Sequence, residues 1–188
     1  MLATVLSGGL IGVEGFLVEV QVDISSGLPA IDLAGLPDSA VKESRERVRS
    51  AIKNSGFSFP AKRILINLAP ADTRKMGPSY DLPIALGILC CTEEVVVPAA
   101  ALKDTLFLEE LSLDGSVRRV NGVLPIVHSA YHQGIRRFFV PEENQEEAAL
   151  VEGAEVYGVG TVCPLLDHLE GRQILSPCQS HWQDQTEQ

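Results

Sequence analysis

The first 40 residues of this chain carry five acids and not one lysine or arginine. That leaves the opening segment acidic and places the basic residues further along the chain. No apolar run approaches the roughly 20 residues needed to cross a bilayer, so no membrane partner is expected. The start MLATVLSGGL has no basic n-region, which argues against a secretory signal. Cysteine is scarce: Cys90, Cys91, Cys163 and Cys178, two of them adjacent in an apolar stretch. This excludes a disulfide framework and fits small buried hydrophobes in a reducing cytoplasm, the expected location. A phosphate loop is missing too. SGGLIGVEG at 7–15 has the glycines but lacks the lysine of GxxxxGK[ST] and the strand–loop–helix context, so it reads as a turn. No ATP hydrolysis is expected from this chain itself.

What is present suits one substantial core, or one domain and a tail, with 45% apolar residues and a net charge of −10 in 188 residues. The charge is uneven. Residues 41–75 hold 9 basic and 3 acidic side chains, whereas residues 76–188 hold 6 basic and 17 acidic ones. A basic segment between acidic flanks suits a polyanion or an acidic neighbouring subunit, and equally a solvated helix face.

Met1 to Ser7 reads as a strand ended by a turn at Gly8 and Gly9. Phe16 to Ile24 alternates as a half-exposed antiparallel strand, and Leu28 to Leu36 reads as another, giving an opening meander. Asp38 is placed to cap a helix over Ala40 to Asn54, with Val41, Val48 and Ile52 on one face and Lys42, Arg45, Arg49 and Lys53 on an adjoining stripe. Glu43–Arg47 and Glu46–Arg49 are spaced to pair along it. Arg63 to Ala69 suits an interior strand. KMGPSYDLPIALGIL at 75–89 is a glycine-proline turn followed by an almost wholly apolar helix, with Asp81 as N-cap and Pro83 in the first turn. Leu106 to Leu113 alternates as a strand before an Asp114-Gly115 hairpin turn. Val123 to Gln133 is an amphipathic helix ended by Gly134, Arg137 to Val140 a strand, Asn144 a helix cap, Glu155 to Gly158 a strand and Val162 to Leu169 a final helix. The fold class is α+β, a mixed sheet with helices packed on it, over residues 1–172, followed by a polar tail or linker at 173–188.

The runs GLPDSAVKESRERVRSAIKNSGF, ILINLAPAD, GPSYDLPIALGIL, ELSLDGSVRRVNGVLPIV and VPEENQEEAALV strongly resemble the N-terminal domain of the ComM/YifB family. These are bacterial AAA+ ATPases described as magnesium-chelatase-like, and the resemblance covers nearly all of residues 1–172. It implies a Lon-proteolytic-like fold, also known as the ribosomal small-subunit protein domain 2-like fold. It further implies a parent that is a homo-oligomeric, hexameric DNA helicase. Such a parent drives branch migration on single-stranded or branched DNA in natural transformation, with ATP and Mg bound by a module outside this chain. No cofactor is implied for the chain itself. Nothing in it suggests a tetrapyrrole or magnesium constellation, despite the chelatase label.

The second half also resembles the proteolytic domain of Lon and the Lon-like domain of RadA. Gly77-Pro78-Ser79 matches Lon's GPS, which makes Ser79 the nucleophile position, and LSLDGSVRRVNGVLPIVHSAYHQGIRRFFVPEEN matches the segment that carries Lon's lysine base. Leu124 stands at that lysine position. A serine hydroxyl without a base is a poor nucleophile, so a non-catalytic domain is the expectation. Peptide cleavage or binding at Ser79, with Lys62 or Lys75 as a displaced base, is the alternative. The candidate nucleic-acid or interface residues are Lys42, Arg45, Arg49, Lys53, Lys62, Arg63, Arg74, Lys75, Arg118 and Arg119. His128 and His132 are spaced i, i+4 without a third ligand. The series Cys163, His168, Cys178, His181 matches no familiar zinc spacing, so no metal is expected.

Overall fold

The computed structural model describes residues 1–180; the expectations that touch His181, Trp182 and the rest of 181–188 lie outside the described residues. A seven-stranded sheet runs through the domain. Its centre is a long hairpin of β1 (Leu2–Ile11) and β2 (Glu14–Ser25), paired antiparallel from Leu2–Asp23 to Ile11–Glu14. Gly8 and Gly9 lie inside β1, not at a turn, which falls at Gly12 with φ +61. Their missing Cβ atoms explain the departure from the turn reading. A Cβ on Gly8 would stand 2.5 Å from Ile126 Cγ2, and one on Gly9 2.5 Å from the Tyr80 hydroxyl. Glycine marks close approach here.

β3 (Ala30–Ala34) does not continue a meander. β4 (Arg63–Ala69) inserts between it and β2, antiparallel to β2 and parallel to β3. The crossover between β3 and β4 carries α1 (Ser39–Lys42) and α2 (Ser44–Asn54), and parallel neighbours require such a connection. On the other side of β1 the sheet continues in parallel through β5 (Thr105–Phe107), β8 (Arg137–Pro141) and β9 (Glu155–Val159). Both the mixed sheet and its packed helices are as the sequence predicts. Leu106 to Leu113 is not one strand. β5 joins the large sheet, while β6 (Glu110–Leu111) turns away to pair with β7 (Val117–Arg118) around Gly115, where φ is +88.

One face of the sheet is covered by α2, α3 (Asp81–Cys90) and α7 (Val162–Leu169), with the short α4 (Ala99–Leu102) at the margin. The other is covered by α5 (Val123–His132) and the short α6 (Gln145–Ala148). Every residue from Asp81 to Leu89 is buried, as an apolar helix with no polar face demands. Asp38 caps α1 as expected, accepting from Val41 N–H at 2.8 Å. Asn144 holds the N-cap position of α6 as expected, but its side chain makes no cap hydrogen bond. It is fully buried, and its side-chain amide bonds both the N–H and the C=O of Val120 at 3.0 Å. The same amide also donates to Glu147 Oε1 at 2.5 Å, so its carbonyl and NH2 group are spent on the Val120 backbone and Glu147.

Candidate functional site

A cleft of about 550 Å3 opens where the loop before α3 meets the end of β1 and the start of α5. Gly9, Phe16, Tyr80 and Ile126 form its apolar part; Asp38, Arg74, Ser79, Glu110 and Arg119 stand in its polar part. Ser79 therefore sits in a cleft, half-buried, as a nucleophile would. Its backbone is fixed: Glu109 N–H donates to Ser79 O at 3.0 Å, and Leu82 N–H donates to Glu109 O at 3.2 Å. These two bonds tie the start of α3 to the segment entering β6.

Among the described residues no hydrogen bond reaches the Ser79 hydroxyl. Leu124, at the second position of α5, does not line the cleft. Lys75 is fully buried, and its Nζ donates to the carbonyls of Gly35, at 2.8 Å, and of Pro70. It staples two loops together, and burial pushes its pKa down. Lys62 is exposed and lines a different pocket, beside Met1, Ser26 and Cys91.

Asp81 is not an N-cap. It is the first residue of α3, its side chain is fully buried, and it points across to α2. Arg47 Nε lies 2.6 Å from Oδ2 and Nη2 lies 3.1 Å from Oδ1, while Ser44 Oγ donates to Oδ1 at 2.5 Å and Leu111 N–H to Oδ2 at 3.1 Å. Burial pushes the Asp81 carboxyl up against the pull of these donors, and the bond to Asp81 raises Arg47. The orphan N–H groups of the helix start are met by main-chain carbonyls instead, Asp81 N–H by Pro78 O at 3.2 Å and Leu82 N–H by Glu109 O. Arg47 also meets Glu43 at 3.5 Å, as its spacing predicts. A signal for the deeper contact existed: Ser44 and Arg47 flank Val48 on the inward side of the amphipathic helix.

Glu109 was not singled out by the sequence, although LFLEELSL sets it between Phe107 and Leu111 on one face of the run. It is fully buried, and neither carboxyl oxygen has a hydrogen-bond partner among the described residues. The Ser7 and Tyr80 hydroxyls are equally unpartnered. β1 meets β5 with Leu6 opposite Leu106. The Tyr80 hydroxyl lies over Gly9. Burial drives the Glu109 pKa well above the carboxylate range and pushes Tyr80 up.

The basic residues fall into separate groups. Lys42, Arg45, Arg49 and Lys53 are all exposed along α1 and α2, and among the described residues none makes an ion pair. Arg45 reaches Ile31 O on β3 at 3.5 Å, and Arg49 lies 5.4 Å over the Phe59 ring. Arg74 and Arg119 stand at the Ser79 cleft. Arg118 donates to Ser112 Oγ at 2.9 Å, and Arg63 is exposed at the start of β4. His128 and His132 bring their Nε2 atoms to 3.1 Å on an exposed helix face. No group of three or more His, Cys, Asp or Glu side chains suited to a metal exists among the described residues.

The comparisons with known proteins place this mixed-sheet domain in a family. The family described as subunit ChlI of Mg-chelatase matches residues 20–144. Competence protein ComM of Haemophilus influenzae is 41% identical over 174 residues, covering 93% of this chain and 34% of that protein. YifB of Escherichia coli is 41% identical over 169 residues, 90% of this chain and 31% of its own length. Lon protease 2 of Bacillus subtilis is 24% identical over 173 residues, 83% of this chain and 30% of that protein. The chain belongs to the Mg-chelatase ChlI-like family and is of the ComM/YifB kind within it. It spans about a third of the length of these relatives.

Proposed function

We propose that this chain is a non-catalytic Lon-like domain of a larger ComM/YifB-type AAA+ ATPase, and that it contributes assembly and DNA contacts instead of bond-breaking chemistry. The observation that carries the reading is the exposed row Lys42, Arg45, Arg49 and Lys53, free of ion pairs among the described residues. Cations set along one helix can hold successive phosphates without reading base sequence. Ser79 supports the negative half of the reading, because the group at the lysine position is Leu124 and a leucine cannot take a proton. In this reading ATP and Mg bind a module outside the chain. The working assembly is a cytoplasmic hexameric ring, and the substrate is single-stranded or branched DNA in branch migration during natural transformation.

The test is DNA binding by the full-length protein with Lys42, Arg45 and Arg49 changed to Ala. Weaker binding of single-stranded and forked DNA with a shallower salt dependence supports the reading; unchanged binding removes this helix from the DNA path. Peptidase chemistry is the competing reading, and labelling of Ser79 by a serine-reactive probe would revive it.

A further inference from the structure

The residues following α7 have little apolar pattern, yet the described part of them is held against the domain. Arg172 and Gln173 N–H groups donate to Asp167 O at 2.9 and 3.3 Å. Leu175 packs on the core that α3 and α7 cover, and Cys178 packs on the opposite core, under α5 and α6. The segment therefore passes around the sheet margin from one face to the other. There Cys178 N–H donates to Val156 O at 2.6 Å, forming an antiparallel bridge to β9. Glu155 N–H is already committed to Arg136 O on the β8 side, so Val156 presents its carbonyl outward, and the segment covers it.

One bond in this strap depends on protonation. Leu175 N–H donates to His168 Nδ1 at 2.8 Å, so Nδ1 carries no proton while the strap is closed. The ring is held by Tyr157 at 4.9 Å and Phe139 at 5.5 Å, the last members of an aromatic series reaching back to Phe107. Around it stand Arg137 on β8, Glu155 on β9, and Asp167, Glu170 and Arg172 on its own segment; Arg172 pairs with Asp167 at 2.7 Å and Glu170 at 3.0 Å. Burial, then Arg137, holds the imidazole below its ordinary range, against the opposing pull of Glu155. The closed strap is the neutral-histidine state.

We propose that residues 172–178 form a strap sealing the β9 edge, and that His168 is the pin that releases it on protonation, exposing the edge to strand pairing. This does not rest on the DNA-binding reading. The sign follows from linkage. The open state binds a proton near the ordinary imidazole value of about 6.5 and the closed state at lower pH. Closure is thus undiminished above that value and weakens as pH falls through it, by up to about ten-fold per pH unit until the closed state also protonates.

Amide hydrogen exchange of the 188-residue chain at about pH 7.5 and about pH 5, corrected for intrinsic rates, tests this. Cys178 N–H should lose protection at the lower pH while the β4 amides of Ile64 and Ile66 stay protected. His168→Phe keeps the stacking ring but removes the acceptor, and Leu175→Pro removes the donor. Each should leave Cys178 unprotected at both pH values, and Leu175→Pro should raise the His168 pKa measured by NMR. Equal Cys178 protection at both pH values in the unmodified chain would overturn the proposal. So would simultaneous loss at Cys178 and β4, or a pH response that survives His168→Phe.

Discussion

Arg47 and Asp81 form a two-pronged ion pair, at 2.6 and 3.1 Å, that bolts α2 to the first residue of α3. The Asp81 side chain is fully buried and that of Arg47 is 18% exposed. Ser44 and the Leu111 amide complete the carboxylate's partners, so α2, α3 and the β6 hairpin meet at one group. Removing one member of a buried pair leaves the other uncompensated, at about 3–5 kcal/mol. Asp81→Ala should therefore lose about that much stability in urea unfolding. Replacing both residues with apolar ones should cost less than either single change, a coupling that a double-mutant cycle measures directly.

Ser79 occupies a cleft that Leu124, at the position of Lon's lysine, does not line. A serine-reactive phosphonate probe should label the unmodified chain and Ser79→Ala to the same background extent. Ser79-dependent labelling would show that some other group activates the hydroxyl.

Glu109 supplies a pH signature of opposite sense to that of a salt-bridged acid. Its folded pKa is raised by burial, so unfolding releases a proton above the ordinary value, and folding is penalised as pH climbs from there. The penalty grows by about 1.4 kcal/mol per pH unit until the folded-state pKa is reached. Glu109→Gln should match the parent in urea midpoint at about pH 4 and below, where an ordinary carboxyl is mostly protonated, and exceed it increasingly over the pH range above that. A constant offset across that range would mean that Glu109 is charged in the fold.

Gly87 lies mid-helix in α3, where a Gly→Ala change in an exposed helix gains about 1 kcal/mol. A Cβ here would stand 2.6 Å from Val22 Cγ2 and 3.3 Å from Val22 Cβ, in the heart of the α3–β2 contact. Overpacking of this kind costs about 1–3 kcal/mol. Gly87→Ala should thus lower the thermal midpoint, reversing the helix-propensity expectation.

Local pattern made most of the elements legible. The period of β2 and α2, the Asp114-Gly115 turn and the apolar α3 are written in neighbouring residues. Strand order was not, because β4 inserts between β2 and β3 through pairings 33 or more residues apart, as in Val22 with Ile66. Gly8 and Gly9 looked like a turn because glycine signals close approach as well as reversal. Asp81 had the spacing of a cap, but its partner Arg47 lies on another helix. Lys75 counted as an exposed cation until the Gly35 and Pro70 carbonyls, from two different loops, enclosed it. Each difference came from a long-range partner that short-range spacing does not name.

The proposed contact of the α1–α2 cations with DNA in the full-length protein has a salt signature. The most direct measurement is the salt dependence of single-stranded DNA binding by full-length protein carrying Lys42→Ala, Arg45→Ala and Arg49→Ala together. With three phosphate contacts removed, the slope of log K against log salt should fall in magnitude by about 2. The same affinity and the same slope as the unmodified protein would contradict the claim.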